Sequence, residues 1–268
     1  MSVGRTYLDH NATAPLRPEA RAAMIAALDV TGNPSSVHRE GRAARALVER
    51  AREEVAALVN AKPGEVVFTS GATEANALAL TGRPWAAVLV GNAEHVSVLA
   101  PARRLAADRV ELSCGRDGVQ DIRAAGAWAA SLGGQPALAS IGLANGETGV
   151  VQPVGALIEA VRAPGVIVHT DAVQAAGRIA IDFRSLGADL VSLSAHKIGG
   201  PKGAGALVVR DGVMLEPLLA GGGQERRRRA GTENVAAIAG FGAAAVAALA
   251  DLAAMTRVRM LRDGLEAE

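Results

Sequence analysis

Short apolar runs without polar alternation recur along the chain, and each ends in glycine, polar or charged residues. Six such runs begin at Glu65, Ala86, Ala137, Val166, Asp189 and Gly203. Strands that are apolar on both faces are typical of a parallel sheet covered by helices on both sides. Helical patterns between the runs begin at Pro18, Gly41 and Val154. This alternation predicts an α/β fold with a mostly parallel sheet sandwiched by helices.

An alanine-rich helical pattern runs from Asn234 to the last residue without a clear stop signal. No strand follows it within the 268 residues. A helix this long and apolar normally leads into further structure, so we expect it to connect to a domain beyond residue 268.

Composition narrows the class of protein further. Half of the residues are hydrophobic and the net charge is +1, which gives no electrostatic reason for a nucleic-acid or membrane partner. No apolar run is expected to span a bilayer, and the first residues lack a signal-peptide pattern. The single cysteine, Cys114, excludes an internal disulfide and fits a reducing compartment. We therefore expect a soluble cytoplasmic protein.

Polar residues follow the ends of several predicted strands, where parallel sheets bind their ligands. In the stretch FTSGATEANALAL a strand is followed by glycine and by a helix that begins near Thr73, which makes an anion site or an ordinary helix cap. His95 follows a second strand, either as a structural residue or as a ring that stacks on a cofactor and carries protons. Asn145 follows a third predicted strand, where it is either an ordinary turn residue or a residue that contacts a cofactor.

Asp171 and Lys197 form the most informative pair. Asp171 ends an apolar strand, with Gln174 three residues later, and a carboxylate there can keep a pyridine nitrogen protonated. Lys197 emerges at the end of the next strand, where its amine can attack a carbonyl carbon. Ser194 and His196 stand beside it as donors to a phosphate. Aspartate and lysine at successive strand ends are the arrangement that a pyridoxal phosphate site needs.

Four consecutive arginines, Arg226–Arg229, lie in the stretch GGGQERRRRAGTEN. The near-neutral net charge and the lack of nearby aromatic residues oppose nucleic-acid binding. We expect a loop at a subunit interface, with Thr232 as an additional phosphate donor.

Taken together, these stretches resemble the cysteine desulfurase family, within the class V aminotransferases of the fold-type I pyridoxal phosphate enzymes. The matching stretches occur in the family's order from Tyr7 to Val235, and they are YLDHNATAPLRPE, GNPSSVHREGRAAR, FTSGATEANALA, AEHVSVL, NGETGVVQP, HTDAVQAAG, SLSAHKIGGPKGAGAL and GGGQERRRRAGTENV. The resemblance implies the large domain of a pyridoxal phosphate-dependent transferase. It divides the chain into an entrance segment (1–17), a cofactor-binding domain (18–235) and a long helix (236–268).

The resemblance also implies roles for individual residues. Lys197 resembles the lysine that holds the cofactor as a Schiff base, and His95 resembles the histidine that stacks on its ring. Asp171 matches the partner of the ring nitrogen. Gln174 and Asn145 match residues that contact the cofactor ring and its phenolic oxygen. The residues that match the phosphate cup are Ala72, Thr73, Ser194 and His196. Thr232 matches a threonine that reaches a phosphate in the partner subunit, and Asn11 lies in a segment similar to one that lines the substrate entrance. A homodimer is implied, and no metal.

The implied reaction converts L-cysteine to L-alanine and passes the sulfur to a cysteine thiolate as a persulfide, then to an acceptor or scaffold protein for iron–sulfur clusters or tRNA thiolation. The family's nucleophilic cysteine and its carboxylate-binding arginine belong to a C-terminal domain and have no match in these residues. Cys114 lies in a strand-and-turn connection and is no substitute. We therefore expect cofactor binding with impaired sulfur transfer. The alternatives are a related class V aminotransferase or lyase and a degenerate binding protein of the same fold.

Overall fold

Seven strands form one sheet in the computed structural model, which describes residues 6–268. Residues 1–5 of the predicted entrance segment lie outside the described residues. The strands are β1 (Val66–Thr69), β2 (Ala87–Gly91), β3 (Asp108–Leu112), β4 (Ala137–Ser140), β5 (Val166–Asp171), β6 (Leu190–Ser194) and β7 (Gly205–Val209). Their order across the sheet is β1-β7-β6-β5-β4-β2-β3.

The predicted mostly parallel sheet is confirmed, with one reversed strand. Strands β3, β2, β4, β5 and β6 pair in parallel, whereas β7 pairs antiparallel with both β6 and β1. The connection between β6 and β7, residues 195–204, contains no crossover helix, so β7 returns beside β6 in the opposite direction. Six strands therefore point the same way and bring their carboxyl ends to one edge.

The described residues form nine α-helices. They are α1 (Pro18–Leu28), α2 (Arg39–Leu58), α3 (Ala72–Thr81), α4 (Val96–Ala102), α5 (Ile122–Ser131), α6 (Val154–Val161), α7 (Phe183–Leu186), α8 (Val235–Ala250) and α9 (Met255–Ala267). The helices predicted from Pro18, Gly41 and Val154 are present as α1, α2 and α6. Consecutive strand residues enter different cores: Leu89 packs in the cluster of α2, α6 and α8, and Val88 packs in the cluster of α3 and α4. Burial on both faces explains the apolar runs.

The long C-terminal helical pattern differs from the expectation in two respects. A 3₁₀ turn at Asp251–Ala254 separates α8 from α9. The run Val235–Ala267 also contains an 18-residue window with the mean hydropathy of a membrane span, contrary to the expectation that no run would. However, α8 packs against α1 and α2 and buries Phe241 in the main core. A core helix of a soluble protein satisfies the same criteria, so this run is weak support for a membrane span.

A buried ion pair joins α2 and β1 to the arginine-rich segment. Arg52 Nη1 and Nη2 donate to the two carboxylate oxygens of Glu225 at 2.7 and 2.8 Å, and both side chains are almost fully buried. Glu225 also accepts the backbone N–H of Phe68 at 2.8 Å. Backbone φ angles are positive at Glu225, Arg226 and Arg227, a conformation unfavourable for side chains with a Cβ. The bidentate pair therefore fixes a strained turn that would otherwise relax.

Replacing Glu225 with alanine is expected to lower the free energy of unfolding by about 3–5 kcal/mol, because Arg52 would be left buried without its carboxylate. Urea denaturation measures this change. Glu49→Ala is a matched control, since Glu49 contacts Arg52 Nε at 3.3 Å from a side chain that is 42% exposed. The control is expected to cost less than about 1 kcal/mol. Equal losses in the two variants would contradict this account of the turn.

Candidate active site

A cleft of about 1130 Å³ opens at the carboxyl edge of the sheet. Its lining contains ten of the eleven predicted site residues, which are Asn11, Ala72, Thr73, His95, Asn145, Asp171, Gln174, Ser194, His196 and Lys197. Thr232 is the exception, and Cys114 does not line the cleft either. The parallel strands thus bring together residues that are distant in sequence, as expected for strand ends at one edge.

The amino end of α3 faces this cleft as an open anion site. Gly71 precedes the helix and provides no side-chain cap. The backbone N–H groups of Ala72 and Thr73 have no acceptor among residues 6–268. Strand β7 passes so close that a Cβ on Gly205 would lie 2.5 Å from the Gly71 carbonyl carbon. These free N–H groups and the helix dipole suit a phosphate group.

Ser194 and His196 line the same cleft as this helix end. Ser194 is the last residue of β6 and is 4% exposed. His196 Nδ1 lies 3.1 Å from the Thr13 hydroxyl oxygen. Burial lowers the pKa of His196, and the positive charges of Lys197 and Lys202 lower it further. The lowered pKa favours the neutral imidazole, which has one nitrogen as a hydrogen-bond donor.

Lys197 is held in a 3₁₀ turn directly after β6. Its amine donates a hydrogen bond to the Asn11 carbonyl oxygen. Burial lowers the pKa of the amine, and the Arg178 guanidinium lowers it further, although nearby carboxylates such as Asp171 act in the opposite direction. An amine with a lowered pKa is more often unprotonated, which is the form that attacks a carbonyl carbon.

Asp171 is the last residue of β5 and faces the same cleft. Its Oδ1 accepts the Val173 backbone N–H at 2.9 Å, and its Oδ2 accepts an N–H of the Asn76 side chain at 2.8 Å. Burial raises the pKa of this carboxyl, whereas those two hydrogen bonds and the neighbouring His95 and Lys197 lower it. A buried carboxylate in this setting favours a cationic N–H partner, and a pyridinium nitrogen is such a partner.

His95 precedes α4 and caps it. Its Nδ1 accepts the backbone N–H of Ser97 at 3.1 Å and lies 2.7 Å from the Ser97 hydroxyl oxygen. The other ring nitrogen, Nε2, has no partner among the described residues. The ring therefore has one nitrogen bound to its own helix and another available to the cleft.

Three predicted contact residues hold loops in this structure. Asn145 Oδ1 accepts two backbone N–H groups of the turn that follows it, and its Nδ2 donates to the Ala93 carbonyl oxygen at 2.9 Å. Gln174 Nε2 donates to the Asn11 carbonyl oxygen at 3.0 Å. Asn11 Nδ2 in turn donates to the Gly146 carbonyl oxygen at 2.9 Å. These bonds tie the Asn11 segment to the loops that line the cleft. The ring contacts of Asn145 and Gln174 and the entrance role of Asn11 stay predictions.

Thr232 lines a second, smaller cavity of about 180 Å³. Ser70, Gly203 and Ala204 line both this cavity and the main cleft, so the two are neighbours. Thr232 is therefore separated from the main cleft by a shared wall within one chain.

Glu94 also lines the cleft, although nothing in the sequence indicated it as a site residue. Glu94 Oε1 accepts the Gly142 N–H at 2.7 Å and a Gln120 side-chain N–H at 3.1 Å. A Cβ on Gly142 would lie 2.6 Å from Glu94 Oε2, so the glycine makes room for the carboxyl. Burial raises the pKa of Glu94 to about 7, and the Asp171 charge adds to the effect. No pattern in the sequence signals this burial, because residues from three separate segments create it.

The raised pKa of Glu94 predicts a pH effect on stability. Between the ordinary pKa of about 4.5 and the folded value of about 7, the folded protein keeps a proton that the unfolded chain releases. The Glu94 contribution to the free energy of unfolding therefore falls as pH rises through this window, by at most about 1.4 kcal/mol per pH unit. In urea denaturation, the free energy of unfolding of Glu94→Gln should not show this decrease with pH. The control variant Glu159→Gln, at an exposed position, should show the same decrease as the wild type. If the free energy of unfolding changed equally with pH in the wild type and in Glu94→Gln, the assignment would be refuted.

Comparisons with known proteins identify the family. The aminotransferase class-V family model matches residues 6–260. A cysteine desulfurase of Cereibacter sphaeroides is 44% identical over 276 residues, which cover 98% of this chain and 69% of that protein. The cysteine desulfurase IscS of Dictyoglomus turgidum is 40% identical over 271 residues, covering 96% and 67%.

Solved structures give the same relationship. A NifS-like protein from Rickettsia africae superimposes with a TM-score of 0.93 at 32% identity, covering 98% of this chain and 74% of that structure. SspA in complex with cysteine superimposes with a TM-score of 0.83 at 33% identity, covering 90% and 72%. The chain therefore spans about two thirds to three quarters of the proteins that it matches here. It belongs to the class V aminotransferases, a family of pyridoxal phosphate-dependent transferases, and its relatives within that family are cysteine desulfurases.

Proposed function

We propose that the chain binds pyridoxal phosphate and acts on L-cysteine as a cysteine desulfurase, releasing L-alanine and transferring the sulfur to a thiol. The observation that carries the proposal is the cleft itself. It combines the Lys197 amine, whose pKa is lowered, with the Asp171 carboxylate and the open amino end of α3. Among the reactions of the family we choose the desulfurase reaction, because the relatives described above are cysteine desulfurases.

The residues present fit the cofactor. The free N–H groups of Ala72 and Thr73, with Ser194 and His196 beside them, would hold its phosphate, and Asp171 would bind its ring nitrogen. Pyridoxal phosphate, when bound, supplies an aldehyde that reacts with amines and a ring that withdraws electrons from the substrate.

The protein's own groups would orient the substrate and move its protons. As a free base, the Lys197 amine can accept the proton from the substrate Cα. To do so it has to leave the Asn11 carbonyl oxygen that it binds in this structure. His95 presents its free Nε2 to the cleft and is the second group able to carry a proton there.

Sulfur transfer needs a thiolate that the described cleft does not contain. In the proposed reaction the substrate Cβ–S bond breaks, the sulfur joins the thiolate sulfur as a persulfide, and Cβ gains a proton to give alanine. Cys114 lies in the connection between β3 and α5 and does not line the cleft. The receiving thiol is therefore not among the residues that line the described cleft. We propose that the sulfur then passes to an acceptor or scaffold protein in the cytoplasm, for iron–sulfur cluster assembly or tRNA thiolation.

We also propose a homodimer in which Thr232 of one subunit completes the phosphate site of the other. Thr232 lies across a shared wall from its own cleft.

The function is tested with purified chain, pyridoxal phosphate, L-cysteine and an added small thiol as sulfur acceptor. We expect the visible absorbance band of lysine-bound cofactor, a change of that band with L-cysteine, and release of alanine and sulfide. Lys197→Ala should lose the band and the products, whereas the same change at the exposed Lys62, 61% exposed, should lose neither. A band with release of keto acid or ammonia would indicate an aminotransferase or lyase, and no band would indicate a degenerate fold.

The dimer is tested by mixing two impaired variants. Thr232→Ala should bind the cofactor weakly, and Lys197→Ala should be inactive. In a mixed dimer the Thr232→Ala subunit keeps its lysine and receives an intact threonine from its partner, so the mixture should be more active than either variant alone. Light scattering checks the subunit number. No gain on mixing would show that Thr232 does not act across subunits.

A further inference from the structure

Two buried polar side chains connect the two groups that face the cleft, the Asp171 carboxylate and the His95 imidazole. Asn76 on α3 is fully buried, and Ser97 in the first turn of α4 is 8% exposed. The Asn76 side chain donates to Asp171 Oδ2 at 2.8 Å and to Ser97 Oγ at 2.9 Å. Ser97 Oγ lies 2.7 Å from His95 Nδ1. A continuous series of hydrogen bonds therefore joins the carboxylate to the imidazole.

The direction of each hydrogen bond follows from what each group can donate. A carboxylate only accepts, so Asn76 must turn its NH₂ group toward Asp171. Ser97 Oγ accepts the second Asn76 N–H, which leaves its hydroxyl hydrogen for His95 Nδ1. The Ser97 backbone N–H also donates to Nδ1, at 3.1 Å. With Nδ1 as the acceptor, the proton of a neutral imidazole lies on Nε2.

Asn76 carries a feature that packing does not explain. Its Oδ1 is buried and has no hydrogen-bond partner among the described residues. A buried acceptor without a partner is unfavourable, and a rotated amide would place that oxygen against the Asp171 carboxylate, which is also an acceptor. An apolar residue would avoid both problems. The amide is therefore explained by the two groups to which it donates.

We propose that Asn76 and Ser97 are positioning residues that hold His95 as the Nε2–H tautomer. They also fix the orientation of its ring, because the hydrogen bonds through Asn76 and Ser97 connect the ring to the Asp171 carboxylate. The proposal deepens the proposed function, because it assigns the state in which His95 meets the substrate. Asn76 does not line the cleft, and the Ser97 hydroxyl is bound between Asn76 and His95, so both residues act through His95. Their loss should therefore lower kcat more than it changes KM.

The tautomer is measured without the cofactor, by two-bond ¹⁵N–¹H NMR of the full chain with labelled histidine. His95→Gln assigns the signal among the five histidines. We expect only the Nε2–H tautomer in the wild type and a measurable share of the Nδ1–H tautomer in both variants. In Ser97→Ala, Nδ1 keeps only the longer backbone hydrogen bond of 3.1 Å, and in Asn76→Leu the Ser97 hydroxyl loses the donor that directs its hydrogen toward Nδ1. Ser97→Thr, which keeps the hydroxyl group, should keep the wild-type pattern. A single Nε2–H tautomer in both Ser97→Ala and Asn76→Leu would overturn the proposal.

Kinetics with pyridoxal phosphate and L-cysteine provide the second readout. Each single variant should lower kcat on the order of 10- to 100-fold, because a misplaced proton carrier stabilises the transition state less well. The kcat of the double variant should be no lower than that of the more impaired single variant, since both changes interrupt the same series of hydrogen bonds. Additive losses would show separate roles and overturn the proposal.

A packing control separates positioning from general destabilisation. Val98 is fully buried on the same helix and does not line the cleft, so Val98→Ala should lower the Tm and leave the tautomer and kcat unchanged. A mixed tautomer in Val98→Ala would mean that any loss of packing in α4 has the same effect, and would overturn the proposal. If the wild type lacks desulfurase activity, the proposed function fails, and the NMR measurement still decides the role of Asn76 and Ser97.

Discussion

The buried carboxylate of Asp171 is the constraint on which the cleft depends. A charge at the end of β5 loses most of its water and has to be matched by donors and positive groups. The backbone of Val173 and the side chain of Asn76 donate to it, and His95 and Lys197 lie close enough to lower its pKa. These groups come from different elements. They meet because six strands end at the same edge of the sheet.

Burial affects acids and bases in opposite directions, and the cleft uses both effects. It raises the pKa of the carboxyls of Glu94 and Asp171, and it lowers the pKa of the Lys197 amine and the His196 imidazole. In each case the charged form becomes less favourable. For the two carboxyls and the Lys197 amine the shift is toward neutral pH, whereas for His196 it is toward lower pH.

The sequence was sufficient to predict the sheet and most of the cleft, because strand ends can be recognised locally. Asp171 and Lys197 each follow an apolar run, and the crossover topology brings such ends together. The reversal of β7 was not predicted, because an apolar run does not encode strand direction. The burial of Glu94 was also missed, since Gly142 and Gln120 approach it from other segments. Asn76 reads as an ordinary helix residue until its partners are seen.

The Arg52–Glu225 pair has a consequence for association. It anchors the arginine-rich turn from inside the subunit, through contacts with α2 and with the backbone of Phe68. The turn thus acquires its shape when the single chain folds, so a partner that docks there meets a preorganised surface. The entropy of ordering that surface is lost during folding rather than during assembly, which favours rapid and specific recognition at a given buried area.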